Sequence, residues 1–336
     1  MATKVAVVVN GHLTSTSLRT FGALISRYII DAEPEPLPPD PGPDPVPPDP
    51  VTSADWVARS TAPGVVLACP FISDAELQSS DPNLGLQSAA DGTLQGSIDL
   101  TDPLSTDTGW LRFLFRKGVG DKNIGGALSL YLGKSFKAGD KLYVQWRQKF
   151  SPEYLQNNLD SWRSSIKHVN IHGASKTCQS AEVVCCSGPN TSGDFNLTQL
   201  YTHCGDGFDV HLPDGDILIQ QGASDTDGYN CYYQDQVPGV GNGPGCFSPE
   251  PNIPYTFGLE VICADSATVT GTVAEPGGPA RQFQKGTHSG FFSDDKSLDR
   301  IRLETYMTEI NNPAAVDAFC SYAQLIVSTQ PIALPQ

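Results

Sequence analysis

The stretch Tyr143-Val144-Gln145-Trp146-Arg147-Gln148-Lys149-Phe150 decides the reading of the fold. Side chains along a strand point alternately to its two faces. Val144, Trp146 and Phe150 therefore go to a core, and Tyr143, Gln145, Arg147 and Lys149 share the opposite face. Working outward, residues 110–116, 127–132, 166–172, 217–221, 255–263, 300–306 and 323–328 read as further strands, with Gly, Pro, Asn and Asp gathered between them. A chain of 336 residues with 32 glycines, 27 prolines and only 2 methionines fits many short strands joined by turns. No phosphate loop or dinucleotide-binding glycine fingerprint occurs in a strand–turn–helix setting.

The formal net charge is -16. The sequence shows no basic stripe of the kind a nucleic-acid binder needs, and the charge disfavours anionic lipid surfaces. Neutral sugars remain open as ligands, and an acidic polysaccharide requires a locally basic groove. No apolar run reaches the length of a membrane span, and the short apolar run at residues 4–9 lacks the cleavage site of a signal peptide.

Three parts follow along the chain. Residues 1–32 read as a small anchor or assembly segment, a strand over 4–9 and a helix over 15–30. That helix gathers Leu18, Phe21, Leu24, Ile25, Tyr28 and Ile29 on one face, which so small a piece cannot bury alone. Residues 33–55 read as a linker, in which ten of the seventeen residues from Pro34 to Pro50 are proline. Such a run forms an extended polyproline rod, roughly 50 Å long. Residues 56–336 form the all-β domain.

Alternation also sorts the other strands. Val169 and Ile171 go inward and leave His168, Asn170 and His172 outward. Phe257, Leu259 and Val261 go inward and leave Glu260 outward. Ile301 and Leu303 go inward and leave Arg302, Glu304 and Tyr306 outward. With Tyr143, Gln145 and Arg147, these ten side chains define a candidate ligand face. Aromatic rings give a sugar ring a surface to stack on, and planar polar groups bond paired hydroxyls. The sorting assumes that no β-bulge flips a face.

At these residues the sequence resembles polysaccharide-lyase-like, concanavalin-like jelly-roll proteins, a family found in bacteria and as structural proteins of tailed phages. The residues from Tyr143 to Leu155 carry the resemblance most specifically. Looser likenesses follow in order at Trp162–Gly173, Tyr201–Gly205, Pro254–Phe257 and Tyr322–Ser328. The resemblance spans about residues 62–330 and implies two sheets packed face to face with a concave groove. It leaves two functional readings. A lyase needs a group to neutralise a uronate carboxylate, a base, and an acid for the leaving oxygen. Asn170-Ile171-His172 resembles the family's Gln-x-His pair, Arg147 is the candidate carboxylate binder, and Tyr306 or Tyr143 the candidate base. The family's Tyr-Phe-Lys-Ala-Gly strand is missing, however, and Glu260 and Glu304 oppose an anionic substrate. A retaining glycosidase on Glu260 and Glu304 requires their strands to be neighbours. A binding head asks less. An anchor, a stiff spacer and a lectin-like domain form the layout of a phage virion decoration or fibre protein. Such a protein binds glycans at a virion surface, meets capsid or tail proteins through residues 1–32, and self-associates there. We take that as the sequence-based expectation, with a polysaccharide lyase or glycosidase as the alternative.

Nine cysteines are many for a reduced compartment. Cys178, Cys204, Cys231 and Cys246 match family cysteine positions. Cys231–Cys246 brackets a Gly/Pro-rich loop, and Cys178, Cys185, Cys186 and Cys204 are candidates for two more bridges of undetermined connectivity. Cys69, Cys263 and Cys320, in or beside strands, read as buried thiols. No zinc spacing occurs, no cofactor is expected, and a weak calcium signal at Asp225-Thr226-Asp227-Gly228 reads better as a turn.

Overall fold

The alternating stretch at residues 141–150 becomes the strand at the centre of a two-sheet jelly roll. The structure is a computed structural model that describes residues 53–81, 84–87, 96–100, 108–117, 124–160, 166–173, 181–189, 196–201, 209–211, 217–219, 247–292, 296–307 and 316–335, all within one compact unit over 48–336. The expected strand at 4–9, the helix at 15–30, the proline rod, Cys178, Cys204, Cys231, Cys246 and the Asp225–Gly228 turn lie outside these residues.

The elements are α1 (Ser53–Ser60), β1 (Val65–Cys69), β2 (Gly85–Gln87), β3 (Gly96–Asp99), β4 (Trp110–Phe115), β5 (Ile124–Phe136), β6 (Lys141–Phe150), α2 (Pro152–Asp160), β7 (Ile166–His172), β8 (Glu182–Pro189), β9 (Asn196–Tyr201), β10 (Asp209–His211), β11 (Ile217–Ile219), β12 (Tyr255–Ile262), β13 (Ser266–Ala274), β14 (Arg281–Ser289), β15 (Leu298–Met307) and β16 (Ala318–Ser328). The larger sheet runs β11-β10-β14-β13-β12-β6-β16-β4-β3, with β1 also paired to β16. The smaller runs β2-β5-β15-β7-β8-β9. Every described pairing is antiparallel.

Between the sheets lies one core. Trp146 of β6 stacks on Phe257 of β12 with ring centroids 5.4 Å apart, and Val144, Phe150, Leu259 and Val261 join them from the larger sheet. The smaller sheet answers with Leu128 and Leu132 of β5, Val169 and Ile171 of β7, Val183 and Cys185 of β8, and Ile301 and Leu303 of β15. The inward sets read from alternation on β6, β12 and β15 are the ones observed.

One sorted residue is corrected. A bulge in β7 between Lys167 and Val169 adds an unpaired residue against β8, and His168 turns inward. Its imidazole is 0% exposed, 5.0 Å from the Phe150 ring and 6.0 Å from that of Phe257, centroid to centroid. A second irregularity interrupts β15 between Leu303 and Tyr306. These breaks in the ladder turn two carbonyls toward the core, and the Tyr322 hydroxyl from the opposite sheet meets both, 2.7 Å from His168 O and 2.9 Å from Glu304 O. Tyr322→Phe strips the donor from buried acceptors. It should lower unfolding free energy by about 1–3 kcal/mol, read from urea melts, with the sheet pairing retained.

The outer face of the larger sheet is covered at β6 and β16. From α1, Trp56 and Arg59 are buried against it. The Arg59 guanidinium donates to Asp55 Oδ2 at 2.8 Å, to Gln145 Oε1 at 2.9 Å and to Gln324 Oε1 at 2.7 Å. Gln145 in turn donates to Ala333 O at 3.0 Å, which ties down the C-terminal tail. Gln324 holds a left-handed φ of 51° at the bulge of β16 that aims it at Arg59.

Candidate active site

The opposite surface, the outer face of the smaller sheet, carries polar residues in cross-strand register. On β5, Leu128, Leu130 and Leu132 turn to the core, which leaves Ser129 and Tyr131 outward. On β15 the outward residues are Arg300, Arg302 and Glu304, on β7 Asn170 and His172, and on β8 Glu182, Val184 and Cys186. Lys167 stands opposite Cys186 and, beyond the bulge, returns to this face. The pairing aligns Tyr131, Arg300, His172 and Glu182 in one row across four strands, and Ser129, Arg302, Asn170 and Val184 in the next. At the usual strand spacing each row spans about 14 Å, room for a few sugar units crossing the strands.

His172 Nδ1 lies 2.7 Å from Gly173 O. A carbonyl only accepts, so Nδ1 carries the proton and the neutral ring keeps the Nε2 lone pair. Burial lowers the His172 pKa, and Arg302 and Arg300 lower it further, outweighing the hydrogen bond to Gly173, so the ring is neutral at physiological pH. Arg302 Nε forms an ion pair with Glu304 Oε2 at 3.1 Å, and Arg300 Nε one with Asp299 Oδ1 at 3.7 Å. Glu182 is buried and accepts a hydrogen bond from Asn170 Nδ2. Burial pushes its carboxyl up to about 7, with Glu304 adding to the rise and Asn170, Lys167 and Arg302 opposing it.

The face thus sets the cations Lys167, Arg300 and Arg302 among Glu304, Asp299 and a Glu182 that keeps its proton to near neutrality, in a chain of formal charge -16. It offers a neutral imidazole, guanidinium groups for an anion, and the hydroxyl of Tyr131, a residue 46% exposed. Among the described residues no three His, Cys, Asp or Glu side chains converge as a metal set.

The ten residues expected to form one groove do not share one face. Tyr143, Gln145, Arg147 and Glu260 belong to β6 and β12 of the larger sheet, whereas Asn170, His172, Arg302 and Glu304 lie on the far side of the sandwich. Tyr143 donates to Glu260 at 2.9 Å, and Gln145 is spent on Arg59 and the tail. Arg147 is 6% exposed, and burial together with the neighbouring Arg59 charge lowers its pKa to about 10. It cannot bind a carboxylate held at His172. His168 is in the core. Tyr306 occupies the register position opposite Lys167, and its side chain lies outside the described set. Glu260 and Glu304, on different sheets, cannot act as a glycosidase pair across one bond.

Tyr131, Lys167, Glu182 and Arg300 were missed. Alternation in β5 and β15 already places Tyr131 and Arg300 outward. Glu182 was hidden because Cys185-Cys186 drew β8 into a disulfide reading. Cys185 and Cys186 are buried on opposite faces of their strand, Cys185 in the main core and Cys186 against Val184, so they do not bridge each other. Cys69, Cys263 and Cys320 are buried thiols as their positions imply, each raised to about 12 by burial.

No protein-family model and no curated protein matches the chain. Solved structures do. An endo-β-1,4-glucuronan lyase from Trichoderma reesei aligns at 9% identity over 70% of this chain and 88% of its own, with a TM-score of 0.42. A marine alginate lyase from Aplysia kurodai aligns at 12% over 79% and 99%, TM-score 0.46. An alginate lyase from Chlorella virus aligns at 8% over 79% and 99%, TM-score 0.39. The expectation of a virion decoration protein with a glycan-binding head is corrected, because the single groove on which it rested is split between two opposed faces. At this identity the likeness extends to the two-sheet jelly-roll fold and no further.

Proposed function

We propose that the outer face of the smaller sheet is the active site of a polysaccharide lyase acting on a uronate-containing glycan. The observation that carries this reading is the row Tyr131–Arg300–His172–Glu182, in which a guanidinium lies between a hydroxyl and a neutral histidine. Arg300, with Arg302 beside it, takes the uronate carboxylate and stabilises the charge that develops as the neighbouring C5 proton leaves. His172 Nε2 removes that proton. The C5 electron pair forms the C4=C5 double bond, the C4–O4 bond breaks, and the Tyr131 hydroxyl protonates the departing O4. Proton return from His172 to Tyr131 through solvent closes the cycle.

The charge balance supports the same reading. Glu304, which on sequence grounds opposed an anionic substrate, is paired to Arg302, and Glu260 is on the other sheet. The test is incubation of the purified full chain with polyuronates and with neutral glucans, following the ultraviolet absorbance of the unsaturated uronate. Absorbance should rise with a polyuronate alone. Arg300→Ala should lower kcat/KM about a hundredfold, with Arg300→Lys restoring part of the loss. An Arg300→Ala enzyme as active as the parent contradicts the assignment.

A further inference from the structure

Exposure falls along the row that carries the chemistry. Tyr131 on β5 is 46% exposed, and the side chains of Arg300 and Arg302 on β15 are 21% and 27% exposed. Glu182, where the row reaches β8, is 3% exposed, and the next outward residues of that strand, Val184 and Cys186, are 0% exposed. A sugar crossing β5, β15 and β7 therefore finds no accessible surface on β8. The other end is open. Among the described residues β2 ends at Gly85, opposite Ser129, one outward position short of Tyr131. The row is a cleft with one open end at β5 and a wall at β8.

A 1,4-linked uronate chain has a direction, and the order of the residues along the row sets it. The unit that becomes unsaturated has its carboxylate at Arg300 and its C5 proton at His172. Its O4, the oxygen that leaves, faces the Tyr131 hydroxyl. O4 joins that unit to the non-reducing part of the chain, and O1, across the ring, points toward β8. The non-reducing part thus passes out over β5, where the surface is open, and the reducing end meets the wall. His172 and Glu182 are paired on neighbouring strands, about 5 Å apart, which leaves room for about one or two units beyond the broken bond. We propose that the enzyme works exolytically from the reducing end and releases an unsaturated mono- or disaccharide at each turnover. This rests on the lyase reading of the face. The atoms balance without water: the short fragment carries the new C4=C5 bond, and the long one keeps the bridging oxygen, protonated, as the hydroxyl of its new reducing end. That shortened chain is itself a substrate for the next turnover.

The test is the mass of the first products. A hexauronate with a saturated non-reducing end is incubated with the full chain, and samples from the first few per cent of conversion go to mass spectrometry. Saturated and unsaturated fragments differ by one water, so each mass reports both length and the end it came from, without a label. Unsaturated mono- and disaccharide should appear with saturated penta- and tetrasaccharide, and should outnumber longer unsaturated fragments by about tenfold. On the polymer, ultraviolet absorbance should rise while viscosity stays near its starting value. Unsaturated trisaccharide and longer fragments as the main early products, with a steep fall in viscosity, would show cleavage inside the chain and overturn the blind-ended cleft. Saturated monosaccharide with unsaturated pentasaccharide would overturn the direction. Either result leaves the lyase reading standing, since both require unsaturated product. Absence of any unsaturated product overturns that reading, and the exolytic inference with it.

Discussion

His172→Ala should lower kcat by about 10² to 10⁴ while leaving the fold and its melting profile unchanged. The ring stands on the outer face of β7 and is not part of the core cluster, so its removal opens no core cavity. What is lost is the Nε2 lone pair, available because Nδ1 is committed to Gly173 O. His172→Gln keeps a polar group at the position but supplies no base of suitable strength, and should be equally slow. Because burial and the two arginines depress the pKa of the ring, the acid limb of kcat/KM should fall below the ordinary histidine range in the parent enzyme. A His172→Ala protein with an unchanged rate would remove the base from the mechanism.

His168→Leu should make the protein much more resistant to acid. The His168 imidazole is enclosed by Phe150 and Phe257, and burial alone lowers its pKa from 6.5 to about 3. The folded pKa lies below the unfolded one, so unfolded chains bind more protons between those values. The stability that neutral His168 permits is complete above about pH 6.5 and is lost as pH falls toward 3. Fully titrated, the loss is on the order of 5 kcal/mol. Glu182 runs the other way. Its folded pKa is raised from 4.5 to about 7, so its contribution is largest below 4.5 and declines as pH rises to 7. Between these limits the two slopes partly cancel in the parent. In His168→Leu the Glu182 slope should be opposed by His172 but no longer by His168, so stability should fall more steeply, or rise less, than in the parent as pH is raised from 4.5 to 7. At neutral pH the substitution should be neutral or stabilising, since neither ring nitrogen has a partner and leucine fills a similar volume. Urea melts of both proteins across this range decide it. A parallel loss of stability in acid would mean that His168 is not the group responsible.

The sequence made the strands and most of their faces legible because alternation is a local property. Val144, Trp146 and Phe150, or Ile301 and Leu303, could be turned inward from their own neighbours alone. Which sheet a strand joins is not local. Tyr143 and Asn170 are both outward, yet β6 pairs with β12 and β16 while β7 pairs with β15 and β8, and outward then means opposite directions. His168 was misplaced for a different reason. The bulge depends on β8 taking one residue where β7 gives two, and on Tyr322 being placed to meet the exposed carbonyls. β13 could have been found, since Val269 and Val273 alternate with Thr268, Thr270 and Thr272 in the manner of a half-buried strand. Arg147 showed that a charged side chain on a sheet face need not meet solvent. The helix that covers it begins at Ser53, within the stretch read as linker.

Product mass tests the central claim most directly. Exhaustive digestion of a polyuronate followed by mass spectrometry of the oligosaccharides distinguishes elimination from hydrolysis by a single water. The account predicts fragments whose new non-reducing ends lack that water and absorb in the ultraviolet, formed by the parent and not by His172→Ala. Fragments that carry the water, or an intact polymer after prolonged incubation across the uronates tested, would contradict it.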